Sequence, residues 1–191
     1  SLGDKFNTAS TKVNSLKLPS AITKQQDAQN TVRLRPLLEN EIARKLVSVE
    51  DFQDRSTVTI LGDGLFESGS AQIQDQYYPV LAAVSQALDS VEGQIIVTGY
   101  TDNQPIQSLN FPSNWHLSQA RADAVKEILL NYVKNGGTRI RSEGRGSTDP
   151  VAPNDTLENR AKNRRVEITL FTTETGPKLG STVEIKNNTS N

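Results

Sequence analysis

Gln94-Ile95-Ile96-Val97-Thr98-Gly99 is a short, continuous apolar run, the pattern of a strand covered in the middle of a sheet. It runs into a polar loop from Tyr100 to Ser113, which holds Pro105 and Pro112. A long amphipathic helix follows, whose spacing puts Leu117, Ala120, Ala124, Ile128 and Tyr132 on one face. Gly136-Gly137 ends that helix, and Thr138 to Ser142 reads as the next sheet strand. Strand, helix and strand in this order form a βαβ unit, and that unit decides the fold class.

Upstream, Tyr77, Val80, Leu81, Val84, Leu88 and Val91 mark a second helix. It follows a loop, Phe66-Glu67-Ser68-Gly69-Ser70, after Gly62 and Gly64. Before these, Val47-Ser48-Val49 and Thr57-Val58-Thr59-Ile60-Leu61 predict a hairpin with its turn at Gln53-Asp54-Arg55-Ser56. Leu34, Leu37, Leu38, Ile42 and Leu46 predict an earlier helix, with Pro36 in the first turn, where a missing N–H costs nothing. Downstream, the loop Glu143-Gly144-Arg145-Gly146 and a polar stretch lead to a last strand, Val166 to Phe171. The expected architecture is a two-layer α/β sandwich with helices on one face of the sheet. Residues 1–33 read as a polar linker and 173–191 as a flexible tail, in which Thr182-Val183-Glu184-Ile185 could add an edge strand.

Composition removes several classes of function. The 191 residues carry a formal net charge of −1, so no global field draws nucleic acid or an anionic membrane, and recognition by charge must be local. With no cysteine, disulfides, thiolate catalysis and the common zinc sites are absent together. There is no methionine and residue 1 is Ser, so the expectation is an excised or processed fragment. No apolar stretch reaches the roughly 20 residues of a membrane span, so any anchor is expected outside this sequence.

The densest polar cluster falls where the apolar strand ends and the long helix begins. Thr101, Asp102 and Asn103 close the strand, Ser113 and Asn114 precede the helix, and Arg121 lies one turn beyond Leu117. Crevices at strand C-termini and helix N-termini are where open α/β sheets hold ligands, and a helix N-terminus offers free N–H groups to a carboxylate. An aspartate and an arginine facing one crevice suit a zwitterion, the carboxylate taking an ammonium and the guanidinium a carboxylate. Spacing alone leaves equally open that Asp102 and Arg121 pair with each other, since buried charges are normally paired.

Three ordered motifs carry a resemblance: Gly99-Tyr100-Thr101-Asp102; Asn114 with Leu117-Ser118, Arg121-Ala122 and Val125; and Asn163-Arg164-Arg165-Val166-Glu167. Together they resemble the C-terminal OmpA-like family, which includes OmpA, the lipoprotein Pal and the flagellar stator protein MotB. The resemblance runs from about Val47 to Phe171. It implies a mixed four-stranded sheet and noncovalent, non-enzymatic binding of peptidoglycan through diaminopimelate, with no cofactor. By the match, Asp102 and Arg121 are the binding pair, with Thr101 closing the same strand, and Asn114 is the helix-start asparagine. Leu117 would be an apolar wall, and Phe66, Ser68 and Gly69 would supply backbone N–H groups. Arg164 is a weaker transfer, with Glu167 or Asp102 as its alternative partners.

The sequence departs from that pattern twice. The glycine usual soon after the Thr-Asp pair is replaced by Asn103-Gln104-Pro105-Ile106, and the loop to Asn114 is longer than in Pal-like members. This variant resembles MotB and the wall-binding extensions of type VI secretion TssL proteins of the DotU/IcmH kind. The leading segments, Glu41-Ile42 with Val47-Ser48-Val49 and Gly62-Asp63-Gly64-Leu65-Phe66-Glu67-Ser68-Gly69-Ser70-Ala71, favour the second. The resemblance therefore implies a periplasmic domain of an inner-membrane protein, with envelope-spanning secretion subunits and a second copy of itself as partners.

Other signals are weaker. His116, the one histidine, has no serine or cysteine beside it in a triad motif. Trp115 either lines the crevice or packs to close the long loop. The Gly144-Arg145-Gly146 loop lacks the Lys-Ser/Thr ending of a phosphate loop, and aromatic residues total only 5%, too few for a base-stacking surface. A glycosidase would need two carboxylates across one bond, a role in which Asp102 and Glu67 would have to face each other.

Overall fold

The structure, a computed structural model, describes residues 33–106 and 108–171. The expected linker up to residue 32 and the expected tail, with Thr182–Ile185, lie outside the described residues. Five strands form one sheet: β1 (Ser48–Asp51), β2 (Arg55–Leu61), β3 (Gln94–Tyr100), β4 (Ile140–Gly144) and β5 (Arg165–Phe171), in the order β1-β2-β5-β3-β4. All pairings are antiparallel except β3 with β4.

The expectation of four strands is corrected, because the hairpin is not an appendage. Val49 of β1 lies opposite Val58 of β2, which lies opposite Ile168 of β5 and, across it, Val97 of β3. All four are buried, so one apolar row crosses the sheet and draws β1 in as an edge strand. The hairpin turn also falls earlier than expected: Arg55 and Ser56 already pair with Phe171 and Leu170.

Six α-helical segments accompany the sheet: α1 (Glu39–Ala43), α2 (Gly62–Leu65), α3 (Tyr78–Asp89), α4 (Asn114–Leu130), α5 (Gly136–Arg139) and α6 (Leu157–Asn163). The single helix expected from Leu34 to Leu46 is a 3₁₀ turn, Arg35–Leu37, followed by α1. Leu34 and Leu38 are fully buried while Leu37 is half exposed. The Leu34 N–H is tied to Asp51 Oδ1 at 3.0 Å and Ser56 Oγ at 3.4 Å, which fixes the turn against the β1–β2 end of the sheet. Burying each of those leucines contributes roughly 1.5–3 kcal/mol.

In α3, Val80, Leu81, Val84 and Leu88 enter the core as the spacing predicts. The face of α4 is rotated from expectation: Leu117, Ser118, Arg121, Ala122, Val125 and Leu129 are buried, whereas Tyr132 is half exposed. The reason is that two polar residues, Ser118 and Arg121, occupy the inward stripe. The glycine pair does not end α4 either; the helix stops at Leu130, Asn135 adopts a left-handed φ of 55°, and Gly136-Gly137 open α5. The polar segment α6 was not expected as a helix; Thr156 caps it, accepting the Asn159 N–H at 3.1 Å.

One close approach positions everything that follows. Gly99 of β3 and Gly144 of β4 are neighbours in register. A Cβ on Gly99 would collide with the Ser118 carbonyl, and one on Gly144 with the Gln119 backbone. The first turns of α4 therefore lie directly on the ends of β3 and β4, and Asn114, Leu117 and Arg121 hang over the strand ends.

Candidate functional site

A crevice of about 560 Å³ opens at that end of the sheet. Its floor is the end of β3 with Thr101 and Asp102, and one wall is α4 with Asn114, Leu117 and Arg121. Phe66, Ser68 and Gly69 form the opposite wall, and Arg164 closes the side. All nine residues expected from the sequence thus line one cavity. Asp63, Gln104, Pro105 and Ile106 line it too and were not anticipated.

Asp102 is buried, 8% exposed. Its Oδ1 accepts the Gln104 N–H at 2.9 Å and its Oδ2 the Arg164 Nη1–H at 2.6 Å. The first of these bonds closes the turn after β3. Among the described residues, positive φ outside glycine occurs only at Lys45, Asn135 and Asp149. The segment Asn103–Ile106 therefore needs no glycine, which explains how the sequence dispenses with it. Thr101 turns inward: its N–H donates to Gly146 O at 2.8 Å and its hydroxyl to Asp102 O at 2.8 Å. Asn114 staples the loop, donating from Nδ2 to Gln104 O at 2.9 Å and to Asp102 O at 3.4 Å.

Arg121 is 5% exposed. Its Nε donates to Ser70 O at 2.8 Å and its Nη2 to Glu67 O at 3.4 Å, while the guanidinium lies 4.8 Å from the Phe66 ring centre. Among the described residues it forms no ion pair with a carboxylate, so a direct Asp102–Arg121 salt bridge is not formed. Burial pushes its pKa down from the ordinary arginine range to about 10, and Asp63 and Asp102 oppose that shift. A cation held this way is desolvated, oriented by carbonyls and electrostatically unfinished, which is the condition for accepting an anion from outside.

Arg164 does the pairing instead. Its Nε and Nη2 grip Asp63 at 2.8 Å each, and its Nη1 reaches Asp102. The Asp63 hydrogen bonds hold the Arg164 guanidinium above its ordinary range, and the same bonds hold the Asp63 carboxyl below its own. Glu167 is taken by Arg165, at 2.9 Å, and not by Arg164. Glu67 contributes its carbonyl, not its carboxylate, so the second acid of the crevice is Asp63.

The loop over the site needs one correction. The Phe66 N–H is already donated to Gly62 O at 2.9 Å, and Phe66 serves through its buried ring. Ser68 and Gly69 are exposed, with Gly69 at a φ of 65°, and their N–H groups are the ones turned to no partner among the described residues. Trp115 packs beside Gly146 and is more than half exposed, away from the crevice. His116 Nδ1 bonds the capping Ser113 Oγ at 2.7 Å. Asp63 stands in the Gly62-Asp63-Gly64 segment, but the arginine it pairs with is 101 residues away, and local spacing carries no signal of that contact.

The OmpA family model matches residues 65–164, more than half of the chain. The cell wall anchor of the type VI secretion system of Pseudomonas aeruginosa is similar in structure, with 49% identity and a TM-score of 0.69 over 73% of this chain and 97% of that one. Motility protein B of Bacillus subtilis is 36% identical over 135 residues, 70% of this chain and 50% of that protein. Peptidoglycan-binding protein ArfA of Mycobacterium bovis is 36% identical over 121 residues, 62% of this chain and 35% of that protein. The chain spans half or less of the length of these two curated relatives. No helix among the described residues is long and apolar enough to cross a membrane.

Proposed function

The chain belongs to the OmpA family, and from that premise we propose that its crevice binds peptidoglycan noncovalently through the free end of stem-peptide diaminopimelate. That end is a zwitterion. Arg121 takes its carboxylate in a two-pronged bond, Asp102 takes its ammonium, and Leu117 with the Phe66 ring covers the methylene chain between them. The observation that carries the reading is Arg121: a buried guanidinium fixed by two backbone carbonyls, without a carboxylate of its own, in the same cavity as Asp102. Cross-linking turns the ammonium into an amide, so the site selects uncross-linked stems. Nothing in this arrangement calls for bond-breaking chemistry, and the reading is of a grip, not an enzyme.

The parent we propose is an inner-membrane component of a type VI secretion system, holding its machine to the wall from the periplasm. The likeness to the Pseudomonas anchor, which covers 97% of that chain at 49% identity, supports this choice. The likeness to motility protein B favours a second reading, a flagellar stator anchor, which uses the same crevice. Sedimentation with purified sacculi tests the site itself. The wild-type chain is expected in the pellet, and folded Asp102→Ala and Arg121→Ala variants in the supernatant. Failure of the wild type to sediment would move the crevice to a protein-interaction role.

A further inference from the structure

We propose that Asp63 sets the ligand selectivity of the crevice, by holding Arg164 away from full pairing with Asp102. The inference rests on the diaminopimelate reading and adds a residue to it. The crevice contains four charges that cancel: Asp63 and Asp102 against Arg121 and Arg164. Arg121 is spoken for by the incoming carboxylate. Whether Asp102 can then attract an ammonium depends on Arg164, which already touches it.

The geometry divides Arg164 unequally. Two of its three bonds to carboxylates, from Nε and Nη2, go to Asp63, and one, from Nη1, goes to Asp102. A two-pronged arginine–carboxylate pair is the stronger and more directional arrangement. The Gly62 N–H adds to the clamp by donating to Arg164 O at 2.8 Å, and a Cβ at Gly62 would press on that same carbonyl at 3.1 Å. Asp63 itself is more than half exposed, so its role is to neutralise and aim a cation and not to fill the core. Without it, Arg164 is free to turn its fork onto Asp102, and the crevice gains a net positive charge. A site of that kind holds simple carboxylates and repels the ammonium.

The test uses the 191-residue chain and calorimetric titration with muramyl tripeptide ending in meso-diaminopimelate, whose one free amine is on that residue. The same peptide acetylated at that amine is the comparison ligand. Wild type is expected to favour the free amine, and Asp63→Asn to reduce that preference about tenfold, because the released Arg164 then pairs fully with Asp102 in place of the ammonium. Asp63→Glu keeps the charge and is expected to keep the preference. In an Arg164→Gln background Asp63→Asn is expected to lower the preference by less than about twofold, because the direct field of the exposed Asp63 is screened and its main effect runs through Arg164. An unmoved preference in Asp63→Asn, an equal loss for both peptides, or the same drop in the Arg164→Gln background each overturns this inference alone. A wild-type chain that binds neither peptide overturns the diaminopimelate reading and this inference with it.

Discussion

At the scale of single residues, the proposed recognition role of Arg121 comes at a cost in stability. Arg121 is a buried cation whose pKa is depressed, so its charged form is costly in the fold. The unfolded chain holds that proton to higher pH than the fold does, so this group's contribution to stability rises with pH above about 10, and the cost is fully present at neutral pH. Arg121→Met keeps an apolar stem against Phe66 and removes the charge, and such replacements of buried ions are commonly neutral or stabilising. We expect it to abolish sacculus binding with an unchanged or raised thermal midpoint, whereas Arg121→Ala leaves a void and lowers it. Equal destabilisation by both would make Arg121 a structural residue. Asp102 and Arg121 were legible in the sequence because each sits in a local motif on a predictable element. Asp63 was not, because its meaning comes from a partner 101 residues away along the chain. The Phe66 N–H was misread for the opposite reason: the short helix α2, which consumes it, has no periodicity to reveal it.

At the scale of elements, the contact between α4 and the β3–β4 pair sets the site's precision. It depends on Gly99 and Gly144, side by side beneath Ser118 and Gln119. Gly144→Ala should lift the helix and cost about 1–3 kcal/mol, the usual penalty of overpacking, read as a shift in urea midpoint, with weaker sacculus binding as its companion. Gly137→Ala meets nothing within 4 Å and should be neutral or gain a few tenths of a kcal/mol. A neutral Gly144→Ala would show that the helix does not depend on this approach. Long elements with apolar faces, α3 and β3, were legible from period alone. The face of α4 was not, because its inward stripe includes Ser118 and Arg121, whose burial is a property of the site. Helix α6 was missed because six of its seven residues are polar or small, and its cap and its position beside β5 make it a helix.

At the scale of the whole molecule, the α/β class and the strands themselves were legible, and the place of β1 in the one sheet was not. The row of Val49, Val58, Ile168 and Val97 that recruits β1 exists only once the register is known. The chain enters the described domain at Leu34, stitched to Asp51 and Ser56 beside the start of β2. The crevice begins with Gly62 and Asp63, just past the other end of the same strand. The point of entry and the crevice are therefore separated by the seven residues of β2, roughly 23 Å at the usual rise. A pull between these two points runs along the strands, and the bonds of an antiparallel ladder lie across them. Such a pull slides strands past one another and must break many bonds together, where a sideways pull opens them one at a time. Single-molecule stretching from Leu34 and Asp102 should need a larger force than stretching from Glu50 and Arg141 on the two edge strands. On the anchoring role proposed above, the fold would then be hardest to tear along the line that joins its point of entry to its crevice.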